Sequence, residues 1–421
     1  MRAAPMIVLL GLLLAPAAAG GEETLVPDWR GLSRPPWPAF EHPGAANPVL
    51  TVWDIDDASV YFVADPFLYR DAGNGEPWWL FFEAACFENG NIAVATSTDG
   101  LAWDYAGMVL DEPWHLSYPL VFRWGDSYYM VPESAEAEGV GLYRAESGQF
   151  PFEWTFVAWL ARGRPFADPT LFRHQGRWWL FVGSGDSATC WLYTSPVLDD
   201  PEAWREHPCS PIVVDSRSRA RPAGRAFIYD GGRLVRLAQK SDVFYGEMVR
   251  AFEVTELSLE AYAETELPES PILAPVGGDA WNSEAMHHFD PWWTGDGWLC
   301  AVDGHDPFWW TIGIYCCRAS LTAAPASAPA ACELRPGRPN PFRDRARLRY
   351  RLARETSLRL TVHDARGRRL AVLDEGVRAA GAHELSWDGR DARGRLQPAG
   401  VYLLRLETPG GTAARKLLRL P

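Results

Sequence analysis

Ala64-Asp65-Pro66-Phe67-Leu68-Tyr69 runs on to Trp78-Trp79-Leu80-Phe81-Phe82-Glu83, and this pair of phrases returns along the chain. Ser117-Tyr118-Pro119-Leu120-Val121-Phe122 precedes Tyr128-Tyr129-Met130-Val131-Pro132-Glu133, and Ala167-Asp168-Pro169-Thr170-Leu171-Phe172 precedes Trp178-Trp179-Leu180-Phe181-Val182-Gly183. Two looser copies follow, Arg221-Pro222-Ala223-Gly224 before residues 234–239 and His287-His288-Phe289-Asp290-Pro291-Trp292 before residues 298–302. The period is roughly 50 to 65 residues. Each copy reads as an inner strand opening on a polar residue beside Pro, then a Gly turn such as Trp124-Gly125-Asp126 or Gln175-Gly176-Arg177, then an aromatic strand. A third strand follows, as at residues 92–97 and 190–195.

Short strands joined by Gly turns and repeated five times predict a five-bladed β-propeller, in which the first residue of every inner strand faces one central funnel. A β-sandwich with chance aromatic-Gly patterning is the alternative, and five ordered repeats argue against it. No long helix-periodic segment is evident, although residues 256–267 read either as a short helix or as an extended connector. Residues 321–332, rich in Ala and Pro, predict an extended linker. Beyond it, alternating stretches at 347–352, 357–363, 369–373, 383–387, 401–407 and 413–420 predict a small Ig-like β-sandwich over 333–421. The expected class is all-β, with the propeller over residues 20–320.

Of 421 residues, 47% are hydrophobic and 22% charged, which excludes wholesale disorder. The formal charge of -14 is unevenly spread: residues 333–421 carry 20 Lys+Arg against 10 Asp+Glu, leaving 40 − 20 = 20 against 54 − 10 = 44 before them. An acidic body lacks the basic footprint of a nucleic-acid binder. Residues 1–19 have Arg2, an apolar run at 7–14 and Ala17-Ala18-Ala19, the layout of a cleavable secretory signal. That run is too short to span a membrane, and no other stretch approaches ~20 apolar residues. A secreted or cell-surface, extracytoplasmic bacterial location is expected. Export permits disulfides, with Cys190–Cys209 and Cys300 with Cys316 or Cys317 as candidates.

The tail resembles the FlgD-like immunoglobulin-type domain and the C-terminal sorting domains of type IX secretion, through Pro339-Asn340-Pro341-Phe342, Trp387-Asp388-Gly389-Arg390-Asp391 and Ala399-Gly400-Val401-Tyr402. The resemblance implies export machinery or the cell envelope as partner. The front resembles the propeller at the N-terminus of glucosamine inositolphosphorylceramide transferases, through Ala64-Asp65-Pro66-Phe67, His115-Leu116-Ser117-Tyr118-Pro119, Val131-Pro132-Glu133, Asp168-Pro169, Arg221-Pro222-Ala223-Gly224 and His287-His288. More remotely it is similar to propeller glycosidases acting on arabinans, xylans and fructans. That similarity implies Asp65 as base or nucleophile and Asp168 as the group that orients substrate and tunes the acid. Where those enzymes place a Glu acid on blade four, this chain has Arg219 or Arg221.

Glycoside cleavage needs two carboxyl groups across the scissile bond, one ionised and one protonated. Asp65 and Asp168 open non-adjacent blades; Glu133, Glu83 and Asp290 are the available acids. Glu133 is preferred, because Pro132-Glu133 ends an apolar strand where burial would raise its pKa. Arg221 and Gln239 form a polar pair able to meet a carboxylate, phosphate or sugar hydroxyl, or else Arg221 bridges Asp168 or Glu133. Of His287 and His288, at most one side chain enters the funnel if both lie in a strand; that one ligates a metal, contacts substrate or serves structure. A structural Ca2+ is the ion considered; no other cofactor is called for. Tyr118 and Trp309 complete the substrate-binding candidates, with Trp309 expected on an exposed loop and the Trp78-Trp79 and Trp178-Trp179 pairs in the core. The expected ligand is a glycan or glycoconjugate, hydrolysed with Asp65 as base, Glu133 as acid and Asp168 positioning both, or bound without catalysis.

Overall fold

A computed structural model describes residues 28–29, 31–33, 35–71, 76–86, 89–278, 280–318, 332–336, 342–352, 354–364, 368–409 and 411–420. The secretory-signal reading of residues 1–19 and most of the linker at 321–332 lie outside them. The chain divides into two compact units, residues 1–40 with 47–317, and 41–46 with 318–421.

In the first unit the repeats become five sheets in chain order, antiparallel within each repeat. Blade one is Val60–Tyr69, Trp78–Cys86, Gly90–Ser97 and Asp104–Leu110; blade two is Ser117–Trp124, Ser127–Ser134, Gly139–Ala145 and Trp154–Arg162. Blade three is Phe166–His174, Arg177–Ser184, Cys190–Ser195 and Arg205–Glu206. Blade four has a short inner strand, Phe227–Tyr229, followed by Arg233–Lys240, Met248–Leu257 and Tyr262–Glu266. Blade five contains Phe289–Trp293, Gly297–His305 and Trp310–Arg318. Residues 256–267 are therefore not a helix: they finish the strand Met248–Leu257, bend, and supply Tyr262–Glu266 as the outer edge of blade four.

The X-Pro phrases have a common local structure. Asp65, Tyr118 and Asp168 each take a left-handed conformation, with φ of 53°, 49° and 50°. Each lies where the inner strand slips register against its neighbour, between Ala64 and Phe67, Ser117 and Leu120, and Ala167 and Thr170. This is a β-bulge, which bends a strand and re-aims its side chains. A left-handed non-Gly residue costs about 1 kcal/mol or more, so neighbouring contacts must hold it. Blade four makes the equivalent bend with Gly224, at φ +136°, whose ideal Cβ would lie 2.0 Å from Phe289 O.

Aromatic strands fill the spaces between blades. Phe67, Tyr118, Phe166, Trp178 and Leu180 share one buried cluster, and Trp37, Trp179, Phe227, Phe289 and Trp298 another. Trp78, Trp178 and Trp179 are core residues. The ring is closed by the early chain: Val49 and Leu50 N–H donate to Ile312 O, and Ile312 N–H returns to Leu50 O. The expected Cys190–Cys209 bridge is not formed. Cys190 packs inward, where burial pushes its thiol up to about 12, while Cys209 Sγ donates to Glu260 O at 3.3 Å. Cys300 is likewise a free, buried thiol.

The second unit contains the sheets Cys332–Pro336, Ala346–Leu352, Gly381–Trp387 and Arg369–Arg378, Thr356–Asp364, Gly400–Thr408, Gly411–Arg419. Leu348, Tyr350, Leu360, Val362, Trp387 and Leu404 form its core. No helix among the described residues is long and apolar enough to cross a membrane.

Candidate active site

The second strand of each blade carries an equivalent inner position within its last four residues, occupied in turn by Glu83, Glu133, Gly183, Gln239 and Asp303. Two of these carboxylates do the same job. Glu133 Oε2 accepts the Asp168 N–H at 2.9 Å, and Asp303 Oδ2 accepts the Asp65 N–H at 3.2 Å. Each thus clasps the bulge of the following blade. At Gly183 a side chain would meet Arg221 Cα and Pro222 Cδ at 3.1 Å, so glycine leaves Arg221 its place.

Arg221 turns its guanidinium onto these buried carboxylates, which together with the first residues of the inner strands form the floor of the ring's centre. Its Nε donates to Asp168 Oδ2 at 2.6 Å and its Nη2 to Asp168 Oδ1 at 3.1 Å and Glu133 Oε2 at 3.2 Å. Gln239 Nε2 adds a bond to Asp168 Oδ2 at 2.6 Å. Burial pushes the Asp168 pKa up to about 7, with Arg221 pulling the other way and Glu133 adding to the rise. The three groups form one buried network.

Blades five and one meet in a second network. Asp303 Oδ1 accepts the backbone N–H of both His287 and His288 at 3.0 Å, and its Oδ2 lies 2.8 Å from His287 Nδ1. His287 Nε2 lies 3.4 Å from Asp65 Oδ1, and His288 Nδ1 lies 3.6 Å from the same oxygen. The two histidines precede the strand Phe289–Trp293 instead of lying in it. Strand alternation therefore does not apply, and both imidazoles converge on Asp65. Burial would lower the His287 pKa, but Asp303 and Asp65 raise it to about 9. Against burial, His287 holds Asp303 below the usual carboxylate value.

Glu83, the carboxylate that clasps no bulge, faces His115, whose Nε2 lies 3.2 Å from Oε1. Burial raises the Glu83 pKa, with His115 opposing. Burial lowers that of His115, but Glu83 and Glu133 outweigh it and bring it to about 9. Gly90 makes room: its Cβ would lie 2.4 Å from the His115 ring.

Other sequence candidates sit deeper or to the side. Asp290 forms a two-pronged pair with Arg225 and accepts the Leu68 N–H at 2.7 Å, joining blades four, five and one. The fully buried Tyr118 hydroxyl accepts the Gly224 N–H at 2.6 Å and lies 2.8 Å from Thr170 Oγ1. Trp309 is half-buried in a turn where its N–H donates to Asp306 at 2.9 Å. The ring beside the site is Trp310, 4.1 Å from the His287 centroid. Tyr245 lies 5.2 Å from His287 and 5.2 Å from the Arg221 guanidinium. Gly246, whose Cβ would lie 2.8 Å from His287 Cβ, lets that loop lie against the imidazole.

Sequence reading missed Asp303, His115 and Tyr245 as site residues, and of the Trp309-Trp310 pair it chose Trp309 where Trp310 is the ring beside His287. Asp303 had a signal, because it extends the 298–302 phrase to the position that Glu83 and Glu133 hold in their copies. Asp65, His287 and Asp303 present ligand atoms within 4.8 Å of one another. Ca2+ takes about six to eight oxygen ligands. Both Asp303 oxygens already accept donors, which leaves the Asp65 carboxylate and His287 Nε2, too few oxygens for a structural Ca2+.

Residues 37–305 match the family described as glucosamine inositolphosphorylceramide transferase 1, N-terminal, and residues 343–411 match the FlgD Ig-like domain. The glucosamine inositolphosphorylceramide transferase 1 of Arabidopsis thaliana is 36% identical over 277 residues, covering 62% of this chain and 34% of the relative. That of Oryza sativa subsp. japonica is 36% identical over 274 residues, covering 62% and 35%. The chain thus spans about a third of these relatives' length. Among solved structures, the catalytic domain of a GH62 α-L-arabinofuranosidase from Coprinopsis cinerea superposes with a TM-score of 0.50 at 15% identity, covering 64% of this chain and 95% of that one. A putative glycoside hydrolase from Parabacteroides distasonis gives 0.51 at 11%, covering 66% and 95%. These two likenesses establish the propeller fold.

Proposed function

The chain belongs to the glucosamine inositolphosphorylceramide transferase 1 N-terminal family through residues 37–305, and from that premise we propose that its propeller binds a glycan or glycoconjugate in the central funnel. The observation that carries the reading is a pair of buried acceptors, Asp65 Oδ1 and Gln239 Oε1, that receive no hydrogen bond from the protein. Buried polar atoms are normally satisfied, and a polyol brings the donors these lack. Tyr245 and Trp310 stand beside the floor as ring faces for sugar C–H groups.

The geometry supports binding over hydrolysis. Cleavage with Asp65 as base and Glu133 as acid asks Glu133 for a proton while its Oε2 accepts from Asp168 N–H and Arg221. A carboxyl so engaged acts as an acceptor. Hydrolysis is the second reading through Glu83, whose pKa is raised by burial and whose partner is His115. The FlgD-type domain is proposed as an export or envelope-attachment module and the protein as exported, supported by the match at residues 343–411 and the sequence of residues 1–19.

The test is a panel of polysaccharides, glycolipids and aryl glycosides offered to the full chain beside D65N and E83Q. Saturable binding without turnover, weakened at least tenfold in D65N, is the expected result. Turnover abolished by D65N and E83Q would instead establish the hydrolase. No binding to any member would remove the glycan reading.

A further inference from the structure

His287 lies between two carboxylates. Asp303 Oδ2 is 2.8 Å from its Nδ1, and Asp65 Oδ1 is 3.4 Å from its Nε2. A neutral imidazole has one N–H and one lone pair, so one ring nitrogen would direct a lone pair at a carboxylate oxygen. Only the imidazolium, with an N–H at both positions, turns a lone pair toward neither carboxylate, even though at 3.4 Å its Nε2 makes no hydrogen bond to Asp65 Oδ1. Asp303 also secures the backbone around the pair, through the N–H groups of Asp65, His287 and His288. Trp310 and Gly246 pack on the ring and fix its plane.

We propose that His287 is a resident imidazolium of the funnel floor, oriented by Asp303, and that its Nε2–H and Asp65 Oδ1 together read one hydroxyl of the ligand. This rests on the glycan-binding reading and deepens it. Nε2–H donates to the hydroxyl oxygen while the hydroxyl proton goes to Asp65 Oδ1, the buried oxygen that otherwise has no donor. A hydroxyl both gives and takes, so this couple discriminates it from an ether or a hydrogen at the same carbon. Asp303 is a positioning residue here, and Arg221 need take no part, since its bonds go to Asp168 and Glu133. Other charged or titratable groups facing His287 are His288 at Asp65, His305 beyond Trp310, Tyr245 on the loop, and Glu83 and Asp168 across the floor. The carboxylates among them favour the cation, in line with the pKa near 9.

The first experiment needs no ligand and no variant: imidazole 15N NMR of the full chain labelled at histidine. At pH 7 both His287 nitrogens are expected to be protonated, with deprotonation near pH 9. A neutral ring with one bare nitrogen at pH 7 would overturn the proposal. In D303N the titration is expected to fall to about 6.5, the ordinary histidine value, while D65N lowers it less. Should D303N fail to fold, D65N and the parent chain still decide the question. The second experiment compares any glycan bound in the panel with its deoxy analogues. One deoxy position is expected to lose at least tenfold in affinity in the parent chain and little in H287Q. Deoxy analogues that all bind as tightly as the parent sugar would refute the hydroxyl couple while leaving glycan binding intact. An empty panel beside a doubly protonated His287 would instead remove the glycan reading and, with it, the hydroxyl couple.

Discussion

At the scale of residues, the floor trades charge for order. Arg221 is buried between Asp168 and Glu133, and removing one partner of such a set leaves a charge that costs about 3–5 kcal/mol. Arg221→Met should therefore destabilise by that amount at pH 8. It should cost less at pH 5, because Asp168, already pushed up to about 7 by burial, can take a proton once the guanidinium is gone. Urea unfolding at the two pH values measures the difference, and equal losses would show that Arg221 contributes packing alone. His287 and His115 supply the opposite dependence to a salt-bridged acid. Both have folded pKa values near 9, above the ordinary ~6.5, so their contribution is full below pH 6.5 and is lost as pH rises through 9. For the buried His287 this amounts to up to about 3 kcal/mol. Thermal unfolding from pH 6.5 to 9.5 should show a falling Tm, and H287Q should flatten the fall. Most of these residues were legible in the sequence, since Asp65, Glu133, Asp168, Arg221 and His287 all mark repeat positions. Their partners were less so: Arg221 next to Pro222 reads equally as a ligand-binding residue or as a counter-ion. Only the approach of blade four past Gly183 decides between them.

At the scale of elements, the recurring bulge explains why so much of the fold could be read from dipeptides. Asp65-Pro66, Tyr118-Pro119 and Asp168-Pro169 place a left-handed residue and a missing N–H at the same point in three inner strands, a rhythm visible without any structure. Blade four was harder. Its inner strand is only Phe227–Tyr229, and its bend is carried by a glycine that carries no polar signature. The strand-alternation argument failed for His287-His288 because it assumed that the strand starts two residues earlier than it does. Residues 256–267 are acidic and weakly patterned because Tyr262–Glu266 is an outer edge, with the Glu264 carboxylate bound to Arg236 at 2.7 Å. The bend of blade four gives a prediction at this scale. In Gly224→Ala the new Cβ meets Phe289 O at 2.0 Å, a backbone atom that cannot rotate away. Blades four and five must separate there, breaking the bond from Phe289 N–H to Ala223 O and disturbing the Tyr118 hydroxyl. A loss of about 3 kcal/mol or more is expected, whereas Gly125→Ala, in an open turn, should cost about 1 kcal/mol. Similar Tm values for the two variants would show that the ring yields more easily than its packing suggests.

At the scale of the whole propeller, closure depends on chain from both ends of the unit. Val49 and Leu50 pair with Ile312 in the outer strand of the last blade, and Asn47 is tied in as well, its side chain donating to Ile314 O at 3.0 Å and accepting Ile314 N–H at 2.8 Å. Ahead of it, Asp28–Trp29 lies parallel to the inner strand of blade four, with Trp29 edge-on to Trp298 at 4.6 Å and Trp37 buried against Phe227. The early chain is therefore a fastener shared by blades four and five, the blades that supply Arg221, His287 and Asp303. Closure adds to the links between blades already described, Glu133 to Asp168, Asp303 to Asp65 and Asp290 to Arg225 and Leu68, in holding the five blades at the distances the floor needs. A chain beginning at residue 28 keeps these contacts and serves as the reference. One beginning at residue 58 loses the buried side chains of Trp37, Leu50, Val52 and Ile55 along with the closing hydrogen bonds. At about 1.5–3 kcal/mol for each large side chain, the loss is on the order of 5 kcal/mol or more. Its first local sign should be the return of His287 to an ordinary titration near pH 6.5, because Asp65 of blade one and Asp303 of blade five would no longer be held on either side of it. Calorimetry and histidine NMR on the two truncations would check both parts. A propeller that kept its Tm and its raised His287 pKa without residues before 58 would mean that the blades, and not the fastener, hold the floor together.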